Sequence, residues 1–226
     1  MLQPVVEGIH VLTVPFKVGA FDLGGRMTVI RLPDGGLWVH SPVRFSPEAR
    51  AAVDALGPVR FLVAPNLWHH LALQDWAAAY PEAKVAAPAG LRRKRPDLRI
   101  DLELGDTPDG GWAGVIDQVL VRGMPQFDEY VFFHRPSRTV LLTDVAFNIH
   151  RTDSWLTRTY LKLSGAWQQL GTTYLARAVL MKDMGAVRAS LDKVLAWNAE
   201  RVVVCHGDVV ERGGQEALAN AFRRLY

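Results

Sequence analysis

RFLVAPNLWHHL, residues 60–71, joins an apolar run to a polar loop. Its first half is typical of a short buried strand, and the residues from Leu71 onward favour a helix that Pro81 ends. Between them lie two adjacent imidazoles, His69 and His70. A regular strand points neighbouring side chains to opposite faces, whereas a strand-to-helix turn can direct both to one place. We therefore expect a polar site at this strand end.

Two other apolar runs end in similar side chains. TVLLT is followed by Asp144, and VVVC is followed by His206 and then Gly207. Imidazole and carboxylate are the ligands expected for zinc, manganese or iron(II), and loops at strand ends commonly carry binding sites. Each residue alone also has a structural explanation, as a turn cap or a hydrogen-bonded histidine. Three buried strands therefore each end in a potential metal ligand.

The rest of the chain alternates between β-rich and helical parts. The first forty residues alternate apolar and polar positions, with DGG at residues 34–36 as a hairpin turn. A second β-rich block covers residues 101–144, and the pattern predicts helices over 46–56, 156–181, 185–199 and 213–226. We expect an α+β fold with a single domain over residues 1–226. Its predicted architecture is a four-layered αββα sandwich, two mixed β-sheets with helices outside.

The composition excludes several classes of protein. The chain is 49% hydrophobic and 22% charged, with a net charge of +3. Its lone Cys205 excludes a disulfide framework and a cysteine-rich zinc module. No apolar stretch approaches the roughly 20 residues of a membrane span, and the N-terminus lacks a secretion-signal pattern, so we predict a cytoplasmic protein without a membrane partner. The basic run at 92–95 has no interleaved aromatic residue, which favours the solvated end of a helix over a nucleic-acid interface and leaves an anion-binding surface as an alternative. A small-molecule substrate is therefore the partner that we expect.

In order and spacing, these segments resemble the metallo-β-lactamase fold superfamily. Its members carry a T-H-x-H-x-D-H loop after a buried strand, a His after a later Gly, an Asp that ends an apolar strand and a final His at a strand end. The matching segments here are APNLWHH (64–70), GMP (123–125), LTD (142–144) and VCHG (204–207). The resemblance extends over nearly the whole chain. The loop pattern P-N-x-x-H-H is identified with a degenerate branch of the superfamily.

The differences from the family pattern fall on one of its two metal sites. The ligand places of the first metal hold Pro65, Leu67 and Met124, which are not useful ligands for such cations. The ligand places of the second metal hold His69, His70, Asp144 and His206. The resemblance therefore implies one divalent ion, zinc, manganese or iron(II), or none. A shift of one residue between 64 and 70 is also open, and it would put Asn66 in the second ligand place and make His69 the last His of the loop.

Two functions follow from this resemblance. The first is a metal-dependent hydrolase, because a coordinated water of lowered pKa is the nucleophile with which the superfamily cleaves esters, amides, thioesters and phosphodiesters. The second is a catalytically inactive module of the same fold, metal-free or with a structural metal, that serves binding or assembly. A named substrate does not follow from the fold.

Residues around the predicted ligands are candidates for the pocket wall or for support of the ligands. They are Asn66, Trp68, Met124, Asp128 and Glu129. Ser41, which follows His40, lies in no G-x-S-x-G motif. The helical segment 157–181 has more apolar residues than one core-facing side requires, which predicts either a homodimer surface or a lid over the site.

Overall fold

Thirteen strands and six α-helices form the fold, which a computed structural model describes for residues 1–226. The strands are β1 (Gln3–Val6), β2 (Ile9–Val14), β3 (Lys17–Val18), β4 (Phe21–Asp22), β5 (Gly25–Arg31), β6 (Leu37–His40), β7 (Val59–Val63), β8 (Lys84–Pro88), β9 (Leu102–Leu104), β10 (Ile116–Leu120), β11 (Tyr130–His134), β12 (Thr139–Leu142) and β13 (Arg201–Val204). The helices are α1 (Pro47–Asp54), α2 (Leu73–Ala79), α3 (Ala89–Lys94), α4 (Trp155–Ser164), α5 (Met184–Leu195) and α6 (Gly214–Phe222).

The strands form two mixed sheets and one short hairpin. The larger sheet has the order β1-β2-β5-β6-β7-β8-β9, the smaller has the order β10-β11-β12-β13, and β3 pairs only with β4. In the larger sheet the pairs from β6 to β9 are parallel and the others are antiparallel. In the smaller sheet only β12 and β13 are parallel. The carboxyl ends of the parallel strands are followed by the loops that contain the predicted ligands.

Three hydrophobic clusters separate four layers. One lies between the larger sheet and α1 to α3 and includes Val53, Trp76 and Leu91. The middle cluster joins the two sheets through residues such as Trp38, Phe61, Phe132 and Leu141. The third lies between the smaller sheet and α5 and α6 and includes Leu191 and Phe222. The layers therefore follow the order helix, sheet, sheet, helix, which confirms the α+β fold class predicted from the sequence.

The helix boundaries show which local signals were sufficient. Helix α1 begins after Ser46, whose hydroxyl oxygen accepts a hydrogen bond from the backbone N–H of Ala49, as the predicted cap requires.

The prediction of continuous helix over 156–181 is wrong. Helix α4 ends at Ser164 because Gly165 adopts a left-handed conformation with φ of 69°, and a π-helical turn follows only at Ala176–Leu180.

His40, the last residue of β6, lies buried between the sheets, and neither of its ring nitrogens has a hydrogen-bond partner. Its ring stacks on Trp38 at 5.7 Å and meets the edge of Phe132 at 5.5 Å. Burial, and next the charge of His69, lower the pKa of His40 from 6.5 to about 3. This imidazole is therefore neutral in the folded protein over the whole physiological pH range.

We expect His40→Phe to keep or raise the free energy of unfolding at pH 7, because it removes two buried nitrogens that lack partners. The folded pKa of about 3 lies below the unfolded value of 6.5, so between these pH values the unfolded chain binds a proton that the folded protein does not. Stability therefore falls as the pH drops through this window. The His40→Phe variant lacks this pH-dependent change in the free energy of unfolding, which is about 1.4 kcal/mol per pH unit.

Urea unfolding at several pH values between 7 and 5 measures this difference. His10→Phe is the control, because His10 is only partly buried and its substitution should change the slope less. An acid dependence of His40→Phe equal to that of the parent protein would contradict the prediction.

Candidate metal centre

Three of the predicted ligands meet at the carboxyl ends of strands. His69 lies in the loop after β7, Asp144 follows β12 and His206 follows β13, and their ligand atoms all lie within 4.8 Å of one another. The two histidine Nε2 atoms are 3.2 Å apart. Nε2 of His69 lies 3.4 Å from one oxygen of Asp144, and Nε2 of His206 lies 3.3 Å from the other.

These separations suit a single divalent ion. Ligand atoms bound tetrahedrally at about 2.0 Å lie about 3.3 Å from one another. The protonation of His206 fits as well, because its Nδ1 lies 2.7 Å from the carbonyl oxygen of Gly24. A carbonyl only accepts, so Nδ1 carries a hydrogen, and Nε2, which faces His69 and Asp144, is the nitrogen that would bind a metal. Two imidazoles and a carboxylate are thus a suitable donor set for a metal.

Asp144 and His69 each shift the pKa of the other. Burial alone raises the pKa of Asp144, but the charge of His69 and the hydrogen bonds from His206 and His69 outweigh it and hold that pKa well below its usual range. Burial alone lowers the pKa of His69, but Asp144 outweighs it and raises that pKa well above 6.5. A cation at this place must displace the proton of His69, so its binding strengthens as the pH rises.

Ser41 supports His69 from the opposite side of the ring. Its Oγ lies 2.8 Å from Nδ1 of His69. Ser41 is buried and has a φ of 51°, a left-handed conformation that is costly for a residue with a Cβ atom. Because a hydroxyl can donate or accept, it pairs with Nδ1 whether or not that nitrogen carries a hydrogen. The hydroxyl of Ser41, placed by this strained backbone, thus orients the imidazole of His69.

Asn66, which is fully buried, joins the loop to the carboxylate. Its Nδ2 donates to Asp144 at 2.7 Å and to Glu129 at 3.3 Å. Its Oδ1 accepts from the backbone N–H groups of Trp68 and His69, both at 2.8 Å. Both ends of the amide are therefore used to hold metal-ligand residues in place. In the structure Asn66 supports the ligands and does not belong to the group of three.

The carboxylate of Glu129 binds the backbone that follows β12. One of its carboxylate oxygens accepts from the N–H of Thr143 at 2.9 Å and the other accepts from the N–H of Asp144 at 2.8 Å. The side chain is fully buried. Burial raises the pKa of Glu129, and the negative charge of Asp144 raises it further. Glu129 thus lies next to Asp144 and Asn66, behind the group of three.

The structure does not bring His70 to the other three predicted ligands. Its Nδ1 lies 3.3 Å from a guanidinium nitrogen of Arg95, next to α3. Burial, and next the charges of Lys94 and Arg95, lower the pKa of His70 to about 4. The two adjacent imidazoles of the loop therefore point to different places.

Two further predicted residues lie elsewhere. Met124 belongs to the hydrophobic cluster under α5 and α6. Met124 and Asp128 line a separate shallow cleft together with Lys182 and Asp183. Trp68, in contrast, is half exposed at the mouth of the site and stacks on Phe127 at 5.1 Å. Of these three, only Trp68 borders the metal centre.

A cleft of about 340 Å³ opens onto His69 and His206. The strand β5 and the segment before the β3–β4 hairpin form one wall, and the residues after β6 form another. Sequence reasoning missed this N-terminal contribution, which includes Ser41, Arg26 and the carbonyl of Gly24. Ser41 did have a signal, because it directly follows an apolar strand as Asp144 and His206 do. A backbone carbonyl leaves no such signal.

Comparisons with known proteins extend over different parts of the chain. Residues 12–90 match a sequence family described as a domain of unknown function, DUF4336. No curated protein sequence matches the chain. Solved structures match all of it. The metallo-β-lactamase DIM-1 is 13% identical with a TM-score of 0.69, and the match covers 100% of this chain and 98% of that one.

Two other solved structures are similar to the same extent. A metallo-β-lactamase from Pontibacter korlensis is 10% identical with a TM-score of 0.70, and the match covers 100% of this chain and 98% of that one. The metal-soaked Flv1 flavodiiron core from Synechocystis sp. PCC6803 is 10% identical with a TM-score of 0.71. There the match covers 100% of this chain and 60% of the other.

We expect Asn66→Ala to lower the free energy of unfolding by about 2–4 kcal/mol, because it removes the acceptor of the Trp68 and His69 backbone N–H groups and one donor from each of the carboxylates of Asp144 and Glu129. Urea unfolding of the metal-free protein measures this loss. Asn220→Ala is the matched control, since Asn220 is exposed on α6 and should change stability by less than about 0.5 kcal/mol. Equal, small losses in both variants would show that the Asn66 amide does not hold the centre together.

Proposed function

Because the chain has the metallo-β-lactamase fold, we propose that it is a hydrolase that depends on one divalent ion. His69, Asp144 and His206 hold the ion. The observation that carries the proposal is the convergence of one ligand atom from each residue within 4.8 Å, with the two histidine Nε2 atoms 3.2 Å apart, close to the separation in a tetrahedral site with one position open to water or substrate. The donor set of two imidazoles and one carboxylate suits zinc, and it suits iron(II) as well, so the proposal covers a divalent transition metal of either kind.

A bound divalent ion supplies a Lewis acid and a water of lowered pKa, the means by which metal-dependent hydrolases cleave acyl and phosphoryl bonds. The chain itself fixes the ligands. The carbonyl of Gly24 sets the proton of His206 on Nδ1, and the hydroxyl of Ser41 orients the ring of His69. The amide of Asn66 holds the carboxylate of Asp144 at 2.7 Å. These contacts preorganise the centre before substrate binds.

The size of the cleft at the metal centre favours a small-molecule substrate. Its volume of about 340 Å³ is in the range of pockets for small molecules. Phe16, Val43 and Trp68 are among the residues that line it, and Arg26 lies beside the histidines. A small ester, thioester or phosphodiester fits this enclosure better than a polymer.

The second candidate is an inactive binding module of the same fold. It is favoured by Leu67 and Met124, which pack in or against hydrophobic clusters where the superfamily pattern has histidine ligands. A protein that holds one equivalent of metal but hydrolyses no ester, thioester or phosphodiester would support this candidate. Turnover that requires metal would exclude it.

We expect protein purified without chelator or nickel affinity to contain about one equivalent of a divalent metal. His69→Ala and His206→Ala should each lose it, because each removes one of three ligands. His70→Ala should keep it, because His70 lies against Arg95. Elemental analysis by mass spectrometry measures the content. Metal-free parent protein whose melting temperature does not respond to zinc, manganese or iron(II) would refute the proposal.

The role of Ser41 is tested by Ser41→Ala, which removes the oxygen beside Nδ1 of His69 and keeps a Cβ atom at the strained position. We expect a metal affinity about 10–100-fold lower, measured by competition with a chromophoric chelator. Ser137→Ala is the matched control, because Ser137 makes the same kind of contact with His134, at 2.7 Å. It should leave the affinity unchanged, and an equal effect of both variants would argue against a positioning role.

A further inference from the structure

Helix α4 exposes large apolar side chains next to cations. Its exposed residues are Trp155, Arg158, Thr159, Lys162 and Leu163. Their spacing places them on a single face, because residues three, four, seven and eight apart lie together on a helix. Trp155 is 72% exposed and Leu163 is 82% exposed. This face is therefore directed away from the core.

A second exposed stripe lies beside α4. Tyr174 is 64% exposed and Leu175 is 51% exposed. The N–H of Tyr174 donates to the hydroxyl of Ser164 at 3.1 Å, and the N–H of Leu175 donates to the hydroxyl of Tyr160 at 3.3 Å. The two stripes thus adjoin each other. We call them together the α4 surface, formed by Trp155, Arg158, Lys162, Leu163, Tyr174 and Leu175.

The charge of this region is of one sign. Residues 154–182 contain no Asp or Glu, although the whole chain has 23 among its 226 residues. The same stretch contains Arg158, Lys162, Arg177 and Lys182. Neither Arg158 nor Lys162 makes an ion pair. The exposed Asp153 directly precedes this stretch, so the α4 surface carries a net positive charge with one acidic residue at its edge.

We propose that the α4 surface docks on a membrane leaflet that contains anionic phospholipids. Trp155, Leu163 and Leu175 enter the boundary between headgroups and acyl chains, while the cations contact lipid phosphates. Trp and Tyr suit this boundary because one end of each side chain is apolar and the other is polar. No helix of the protein is long and apolar enough to cross a bilayer, so the contact is peripheral.

Charge and arrangement favour lipid over a second protein. A two-fold homodimer through 157–181 is one of the two alternatives from the sequence. It brings equivalent cations together, and residues 157–181 contain no acidic residue to pair with them. A protein interface generally has an apolar centre enclosed by a polar rim. Here Arg158 and Lys162 lie between Trp155 and Leu163 on the same helical face, and a membrane accommodates this mixture because long cationic side chains reach the headgroups.

Docking is independent of the proposed hydrolase activity, because none of the six residues lines the cleft at the metal centre. The test is flotation of the full chain with vesicles of phosphatidylcholine alone or with roughly 30% phosphatidylglycerol. We expect binding only to the anionic vesicles, and weaker binding at higher salt concentration. The double variant Arg158→Gln/Lys162→Gln should bind about 25-fold more weakly, at about fivefold for each cation.

A second variant separates insertion from simple charge attraction. Trp155→Ser/Leu163→Ser keeps every charge and should also weaken binding. Lys84→Gln/Lys193→Gln is the matched control, since it removes two exposed lysines elsewhere and should leave binding to the anionic vesicles within about twofold. Circular dichroism of all variants verifies that they are folded.

Three results would overturn the proposal. One is equal binding to vesicles with and without phosphatidylglycerol, or to neither. Another is an equal loss of binding in the lysine control, which would show attraction by net charge alone. The third is a dimer in light scattering that Trp155→Ser/Leu163→Ser converts to monomer while the parent protein binds no vesicle, which would assign the surface to a second copy of the chain.

Discussion

A buried amide must find partners for all its polar atoms inside the protein, and the side chain of Asn66 does so with three elements at once. It bonds to the loop after β7, to Glu129 before β11 and to Asp144 after β12. These elements belong to both sheets. The hydrogen bonds of this one side chain therefore set the distance from His69 to Asp144, together with the backbone bonds from Leu67 to Phe127 and from Tyr130 to Pro65 that join the same loop to the smaller sheet.

Short sequence patterns predicted the parts of the fold that depend on residues close together in the chain. Apolar runs located β7, β12 and β13, and the sites at their ends followed because a polar residue directly after a buried strand needs a partner. The orientation of His70 was not predictable, because it is set by Arg95, which directly follows α3 later in the chain. The break after α4 was missed because the glycine at 165 was outweighed by the apolar residues around it. The support from Ser41 and Gly24 depends on tertiary contacts with the N-terminal half.

Leu67 and Met124, which stand where the superfamily pattern has histidine ligands, have structural roles of their own. Leu67 packs beside Gly90 at the start of α3, so closely that a Cβ at Gly90 would lie 3.1 Å from its Cδ2. Met124 fills the cluster under α5 and α6. A histidine at either place would put a polar ring into an apolar environment, and stability would fall. Where the superfamily pattern has two histidine ligands, this chain therefore has apolar side chains packed in or against hydrophobic clusters, and a single substitution to histidine at either place is unfavourable.

The hydrogen bond between His206 and the carbonyl of Gly24 joins residues 182 positions apart. Every amino acid provides a carbonyl oxygen, but Gly24 has a φ of 64°, so a side chain at this position would strain the turn that places the acceptor. An insertion or deletion between Val14 and Gly25 would alter the path of the backbone and move that oxygen away from the ring. Both the length of this hairpin and the glycine at its end are therefore heritable properties that keep a hydrogen on Nδ1 of His206.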